Sequence, residues 1–152
     1  MSCFYNTMIN AHGILTLSFL LNIQEVIMQL KGIFQIIDWK ESIEKSFDEG
    51  GKLTTAIVCQ DYSGDIIGKS EIKFQMNYEP NGNATFIGFE FLVGNIAGKP
   101  CKLTIKHDGK FEEGSAKSQF VILNSSTHQE LVGLKGYFKS AEGGQANFVI
   151  GS

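Results

Sequence analysis

Between Lys69 and Glu79 the chain alternates strictly, with Glu71, Lys73, Gln75 and Asn77 on one parity and Ile72, Phe74, Met76 and Tyr78 on the other. A period of two over that length marks a strand with one face in a core and one in water. Comparable runs recur at short, regular intervals: Leu30 to Trp39, Leu53 to Ile66, Lys69 to Glu79, Asn83 to Ile96, Lys99 to Phe111, Ser115 to Leu123, Glu130 to Lys139 and Gln145 to Ile150. Strands at such spacing, without helical periodicity between them, predict an all-β fold. Eight antiparallel strands suit a single up-and-down β-barrel, whose interior is just filled by side chains or holds one small ligand. The stretch from Asp38 to Lys52 reads as a polar connection with room for one helical turn, and NSSTHQ (124–129) as a polar loop.

Register comes from the turns. Asn81-Gly82 between two strand patterns is a strong hairpin signal. If these are the two turn residues, Met76 faces Ile87, Phe74 faces Phe89 and Ile72 faces Phe91, so both apolar sets share the barrel interior. Lys73 then pairs with Glu90 on the outer face, where Phe86 and Leu92 also lie; a turn longer by one residue would reverse this. Around Ala97-Gly98 a two-residue turn would carry Lys102, Thr104 and Lys106 inward, so a bulge or odd-length loop is expected, consistent with Pro100 being unable to donate to a ladder. That places Cys101, Leu103, Ile105, His107 and Phe111 inside. Glu113-Gly114 turns into a strand that points Phe120 and Ile122 inward, with His107 opposite Phe120.

Composition narrows the classes without choosing a function. The chain has 152 residues, about one domain, is 43% hydrophobic and 19% charged, and carries a net charge of -3 with its lysines scattered singly. Nucleic acid is therefore not an expected partner. The three cysteines, Cys3, Cys59 and Cys101, are too few and too scattered for a metal cluster or disulfide framework, and no metal or cofactor is expected. No phosphate-cradling loop, nucleophile elbow or HExxH pattern is present. Residues 1–27 differ from the rest: Ile14 to Ile23 is mostly apolar and no Lys or Arg precedes Lys31. The segment lacks the positive start of a secretory signal, and its apolar run falls short of the roughly 20 residues a membrane helix needs. It reads as a packed helix, an oligomer-forming arm or upstream sequence before a true start at Met28, leaving 28–152 as the barrel domain. A cytoplasmic chain with reduced thiols and no membrane partner is expected, and the two sequons, at Asn83 and Asn124, then carry no glycan.

Several segments together resemble a known family. GIFQIIDWKE (32–41), YSGDIIGKS (62–70), FIGFEFLVGNIAGK (86–99), KHDGKFEEGSA (106–116) and ELVGLKGYF (130–138) are similar to the mainly bacterial domain-of-unknown-function family 3224. The resemblance implies an eight-stranded barrel of the allene-oxide-cyclase-like, calycin-like kind and no assigned activity. The first 27 residues lie outside it, and NSSTHQ replaces a usual Gly-rich turn. Allene oxide cyclase's own catalytic motif has no match here.

The titratable residue of most interest is His107, which parity puts inside. An imidazole in an apolar cavity could orient a ligand or move a proton; at a barrel mouth it would simply be bonded to backbone. Tyr62, Tyr78 and Trp39 could rim a pocket, or be ordinary amphipathic aromatics at strand ends. Cys59 and Cys101 fall at interior parity as small hydrophobes. Two functions follow. One is a binder of a small apolar or amphipathic molecule, with isomerase- or cyclase-like chemistry as its extension, in a cavity lined by Ile72, Phe74, Met76, Tyr78, Phe89, Phe91, Ile105 and Phe120 with His107 as its polar group. The other is a filled barrel serving structure or homo-oligomer assembly without catalysis, Phe86 and Leu92 making the subunit contact.

Overall fold

The computed structural model describes residues 29–151, so the expectations for residues 1–27 lie outside the described part. Eight strands follow in order: β1 (Leu30–Ser46), β2 (Lys52–Gly64), β3 (Ile66–Tyr78), β4 (Ala84–Ile96), β5 (Lys99–Glu112), β6 (Ser115–Asn124), β7 (Lys135–Ser140) and β8 (Gln145–Ile150). Each pairs antiparallel with its neighbour, and β8 returns to β1 to close the barrel. The up-and-down order is the one expected from the strand spacing.

Two elements differ from expectation. The polar stretch after Trp39 contains no helical turn: β1 runs on to Ser46, paired with β2 and shifted twice, at Ile37 and Glu44, by bulges. Its exposed outer half needs no apolar pattern, which is why its polarity suggests a loop. β7 begins at Lys135 rather than Glu130, because Gln129–Leu131 forms a short 3-10 turn that buries Leu131.

The larger correction concerns register. The β3–β4 loop is longer by one than expected: Gly82 N donates to Glu79 O across Pro80 and Asn81, and Glu79 N donates to Asn83 O. This is a type I turn with Pro80 at its second position and Gly82 left-handed (φ 89) behind it, the usual three-residue hairpin. Tyr78 therefore pairs with Ala84, Met76 with Phe86, Phe74 with Gly88 and Ile72 with Glu90. The inward face of β4 is Phe86, Gly88, Glu90 and Leu92, while Ile87, Phe89, Phe91 and Val93 point out. Phe89 and Phe91 are 56% and 52% exposed, so neither lines the interior, and Lys73 stands beside Phe89 rather than Glu90. With β4 so placed, the expected bulge at Ala97-Gly98 is unnecessary. Those residues (φ 50 and 77) form a plain two-residue turn, pairing Ile96 with Lys99 and Leu92 with Leu103.

β5 and β6 keep their expected faces: Cys101, Leu103, Ile105 and His107 are buried, as are Phe120 and Ile122, and His107 lies opposite Phe120. Cys59 does not point in; the inward parity of β2 is Thr54, Ala56, Val58, Gln60 and Tyr62. Room for aromatic rings inside so narrow a sheet comes from cross-strand glycines. Phe74 lies opposite Gly88, Phe86 opposite Gly109, Phe120 opposite Gly136 and Phe148 opposite Gly32. A Cβ on Gly88 would come within 2.4 Å of the Phe74 ring, and one on Gly136 within 2.5 Å of Phe120. Each ring thus occupies the volume its partner's side chain would have taken, the large-beside-small packing that fills a small barrel at interior density.

Candidate functional site

Two features stand out inside the barrel: a buried polar chain and, next to it, an apolar cavity. The polar chain is built from three strands. Tyr62 on β2, Glu90 on β4 and His107 on β5 all have inward parity, and Glu90 and His107 are only 1% and 2% exposed. Tyr62 Oη donates to Glu90 Oε2 at 2.7 Å, and His107 Nε2 lies 2.7 Å from Glu90 Oε1. On the other side of the imidazole, Nδ1 is 3.3 Å from Ser118 Oγ, which also reaches the carbonyls of Asp108 and Gln119 at 3.3 and 3.0 Å. A hydroxyl can donate or accept, so Ser118 accommodates Nδ1 whether or not it carries a proton. Burial, then the neighbouring Glu90 charge and its hydrogen bond, hold the Tyr62 phenol well above its ordinary value, which fixes it as a donor to the carboxylate. Aromatic rings surround the imidazole: Phe120, Phe138 and Phe74 centroids lie 5.2, 5.6 and 5.9 Å away.

The cavity opens where the β1–β8 seam parts. β1 pairs with β8 only as far as Gln35 opposite Gln145; past the bulge at Ile37 it continues with β2 alone. The space has a volume of 120 Å³, with Phe34, Phe74, Phe86 and Phe138 among its walls and Gln60 as a buried amide. Trp39, 43% exposed, stands at its lip with Gln145 and Gly144. Gln35 Nε2 ties the lip across the seam by donating to Gly143 O at 2.8 Å. No charged side chain lines it among the described residues.

Of the residues expected to line the interior site, Phe74 and Met76 do so. Ile72, Ile105 and Phe120 are core residues away from the cavity, and Tyr78 is half-buried, donating to Glu41 Oε1 at 2.9 Å. Its phenol is pushed up to about 12, by partial burial first and the Glu41 bond second. His107 is inside, but it sits behind Phe74 and Phe138, one layer beneath the cavity wall. Burial pushes the Cys101 thiol up, so it acts as a small hydrophobe. Sequence reasoning missed Glu90 and Gln60. The signal for Glu90 was the two-residue turn at Ala97-Gly98: given the clear inward parity of β5, it requires the even-numbered residues of β4 to face in. For Gln60 the signal was weak, because Leu53 and Ile57 make the outer parity of β2 as apolar as Ala56 and Val58 make the inner one.

Among the described residues no group of three or more His, Cys, Asp or Glu is placed to hold a metal ion, and no helix is long and apolar enough to cross a membrane. No curated protein matches the chain. Among solved structures, a protein of unknown function from the DUF3224 family of Shewanella oneidensis MR-1 is similar, with 22% identity, a TM-score of 0.58, and coverage of 80% of this chain and 92% of that one. At that identity the likeness concerns the fold, and it is the barrel that the two share. The sequence model of the family described as "Protein of unknown function (DUF3224)" matches residues 30–150, from the first residue of β1 to the last of β8. The chain is a member of the DUF3224 family.

Proposed function

We propose that the barrel binds the apolar end of a small neutral molecule in the cavity at the β1–β8 seam. The observation that carries this reading is a 120 Å³ apolar space walled by aromatic rings, Phe34, Phe74, Phe86 and Phe138 among them, beside strands packed phenylalanine against glycine. That volume is below the several hundred Å³ of drug-sized sites. It is close to the roughly 150 Å³ apolar cavity that takes up benzene in another protein. One aromatic ring or a short branched alkyl group fits, and the remainder of a larger ligand would lie over Trp39 and Gln145. With no charged lining residue, a carboxylate or ammonium would lose its hydration without a partner, so the buried part is neutral. The Gln60 amide supplies a polar group for one hydroxyl or carbonyl. Glu90 and His107, the groups suited to proton transfer, lie behind Phe74 and Phe138, so the reading is binding rather than catalysis.

Titration of the 15N-labelled protein with benzene, benzyl alcohol and benzoate tests this. Saturable shifts are expected with the first two, confined to residues around Phe34, Phe138 and Gln145, and none with benzoate. Ala116→Leu, at the half-buried edge of the cavity, should fill it and abolish both responses while leaving the rest of the spectrum in place. Absence of saturable binding to any of the three, or binding unaffected by Ala116→Leu, overturns the proposal.

A further inference from the structure

The outer wall of the barrel carries a row unlike a solvated surface. Ile87, Phe89, Phe91 and Val93 all point outward along β4 and are all exposed, Phe89 and Phe91 by more than half. Isolated exposed hydrophobics are common, but four contiguous ones on one strand form a ridge, and such patches mark contacts. Their neighbours are charged in a definite order. Across the ladder Phe89 has Lys73 on β3 and Lys106 on β5; Phe91 has Glu71 and Thr104; Val93 has Lys69 and Lys102; Ile87 has Gln75 and Asp108.

That order is self-complementary under one kind of symmetry. Consider a two-fold axis lying in the contact plane, perpendicular to β4, and passing between Phe89 and Phe91. It sets Phe89 of one copy on Phe91 of the other and Ile87 on Val93, closing the ridge on itself. It also brings Lys73 opposite Glu71 and Lys102 opposite Asp108, each pair occurring twice. Lys106 meets Thr104, and Lys69, already bonded to Asp61 at 2.9 Å, meets Gln75. An axis running along β4 would instead set Lys73 against Lys106 and Lys69 against Lys102, a repulsive arrangement. The angle of about -30° at which sheets pack face to face shifts these pairs by less than a lysine's reach.

We infer that two copies of this chain associate through the outer faces of β3, β4 and β5, with the Phe89–Phe91 ridge at the centre and the Lys73–Glu71 and Lys102–Asp108 pairs at the rim. This is the isologous contact that two-fold dimers use, with an apolar centre and polar edge. It is independent of the cavity, which opens on the opposite seam of the barrel at β1 and β8.

Sedimentation velocity on the full chain across a concentration series tests the inference. A concentration-dependent dimer is expected. Phe89→Ser should shift it to monomer while circular dichroism stays unchanged, since the side chain is outside the core. Glu71→Lys sets a lysine against Lys73 of the other copy, and Lys73→Glu sets a glutamate against Glu71; each single change should weaken dimerisation about tenfold. The double swap Glu71→Lys with Lys73→Glu restores opposite charges across the axis and should recover the affinity. A chain that is monomeric at every concentration overturns the inference and leaves the ridge to a different partner, as does a dimer indifferent to Phe89→Ser or a double swap no better than either single change.

Discussion

Glu90 shows how much one side chain can depend on its neighbours. A carboxylate buried among phenylalanines is tolerable only because Tyr62 and His107 both hold it at 2.7 Å; alone it would face the full desolvation cost of an ion in an apolar medium. Glu90→Ala should therefore destabilise the barrel by about 3–5 kcal/mol, because the phenol and imidazole are left buried and unpaired. Glu90→Gln, which keeps the shape and one acceptor, should cost distinctly less. Urea unfolding of the two variants measures the difference; equal losses would mean that shape rather than hydrogen bonding governs the site. From sequence alone this residue belongs on the surface, since a Glu flanked by Phe89 and Phe91 looks like the polar member of an alternating strand. The inner and outer parities of β4 are both rich in apolar residues, and the outer one is the richer. Hydrophobicity therefore selects the wrong face.

At the level of the strand pair, turn chemistry outweighs hydrophobic pattern. Pro80 at the second position of a type I turn, with Gly82 behind it, adds one residue to the loop, and that residue moves every side chain of β4 to the other face. The two-residue turns at Ala97-Gly98 and Glu113-Gly114 are regular once β4 is placed correctly. The bulge expected at the first of them is a consequence of the earlier slip. The same register makes the pairing of phenylalanine with glycine a structural requirement. Gly88→Ala should cost about 1–3 kcal/mol by overpacking, since the new methyl meets the Phe74 ring at 2.4 Å and the Lys73 carbonyl at 2.8 Å. Gly82→Ala is a poor control because its φ is positive, so Thr85→Ala, exposed on the same strand, is the reference. A cost for Gly88→Ala no larger than that reference, read from thermal melts, would argue against the tight packing.

For the barrel as a whole, the buried phenol network makes stability sensitive to alkali. Tyr62 in the folded state keeps its proton above the pH at which the unfolded chain releases it, near 10. Above that pH the folded state binds more protons than the unfolded one, so stability falls as pH rises. Tyr78 acts in the same direction between about 10 and 12, but weakly, being partly exposed. Tyr62→Phe should be less stable than the parent at pH 8 through loss of the bond to Glu90. The gap should narrow by about pH 11, because only the parent carries this titration. Denaturant unfolding at both values decides; a gap that stays constant or widens contradicts the assignment of Tyr62 as the buried donor.

Local chemistry by itself determined the all-β class, the number of strands, the up-and-down order and the inward placement of His107 opposite Phe120. These follow from periodicity and turn residues that lie close together in sequence. Only the tertiary structure decided which parity of β2 and β4 faces in, that Glu90 and Tyr62 join His107, and that the open space lies at the β1–β8 seam. In both strands the two faces compete almost equally for the core, so the choice is made by loop length and by partners distant in sequence. The seam depends on where β8 begins, at Gln145, against a β1 that lies more than a hundred residues earlier.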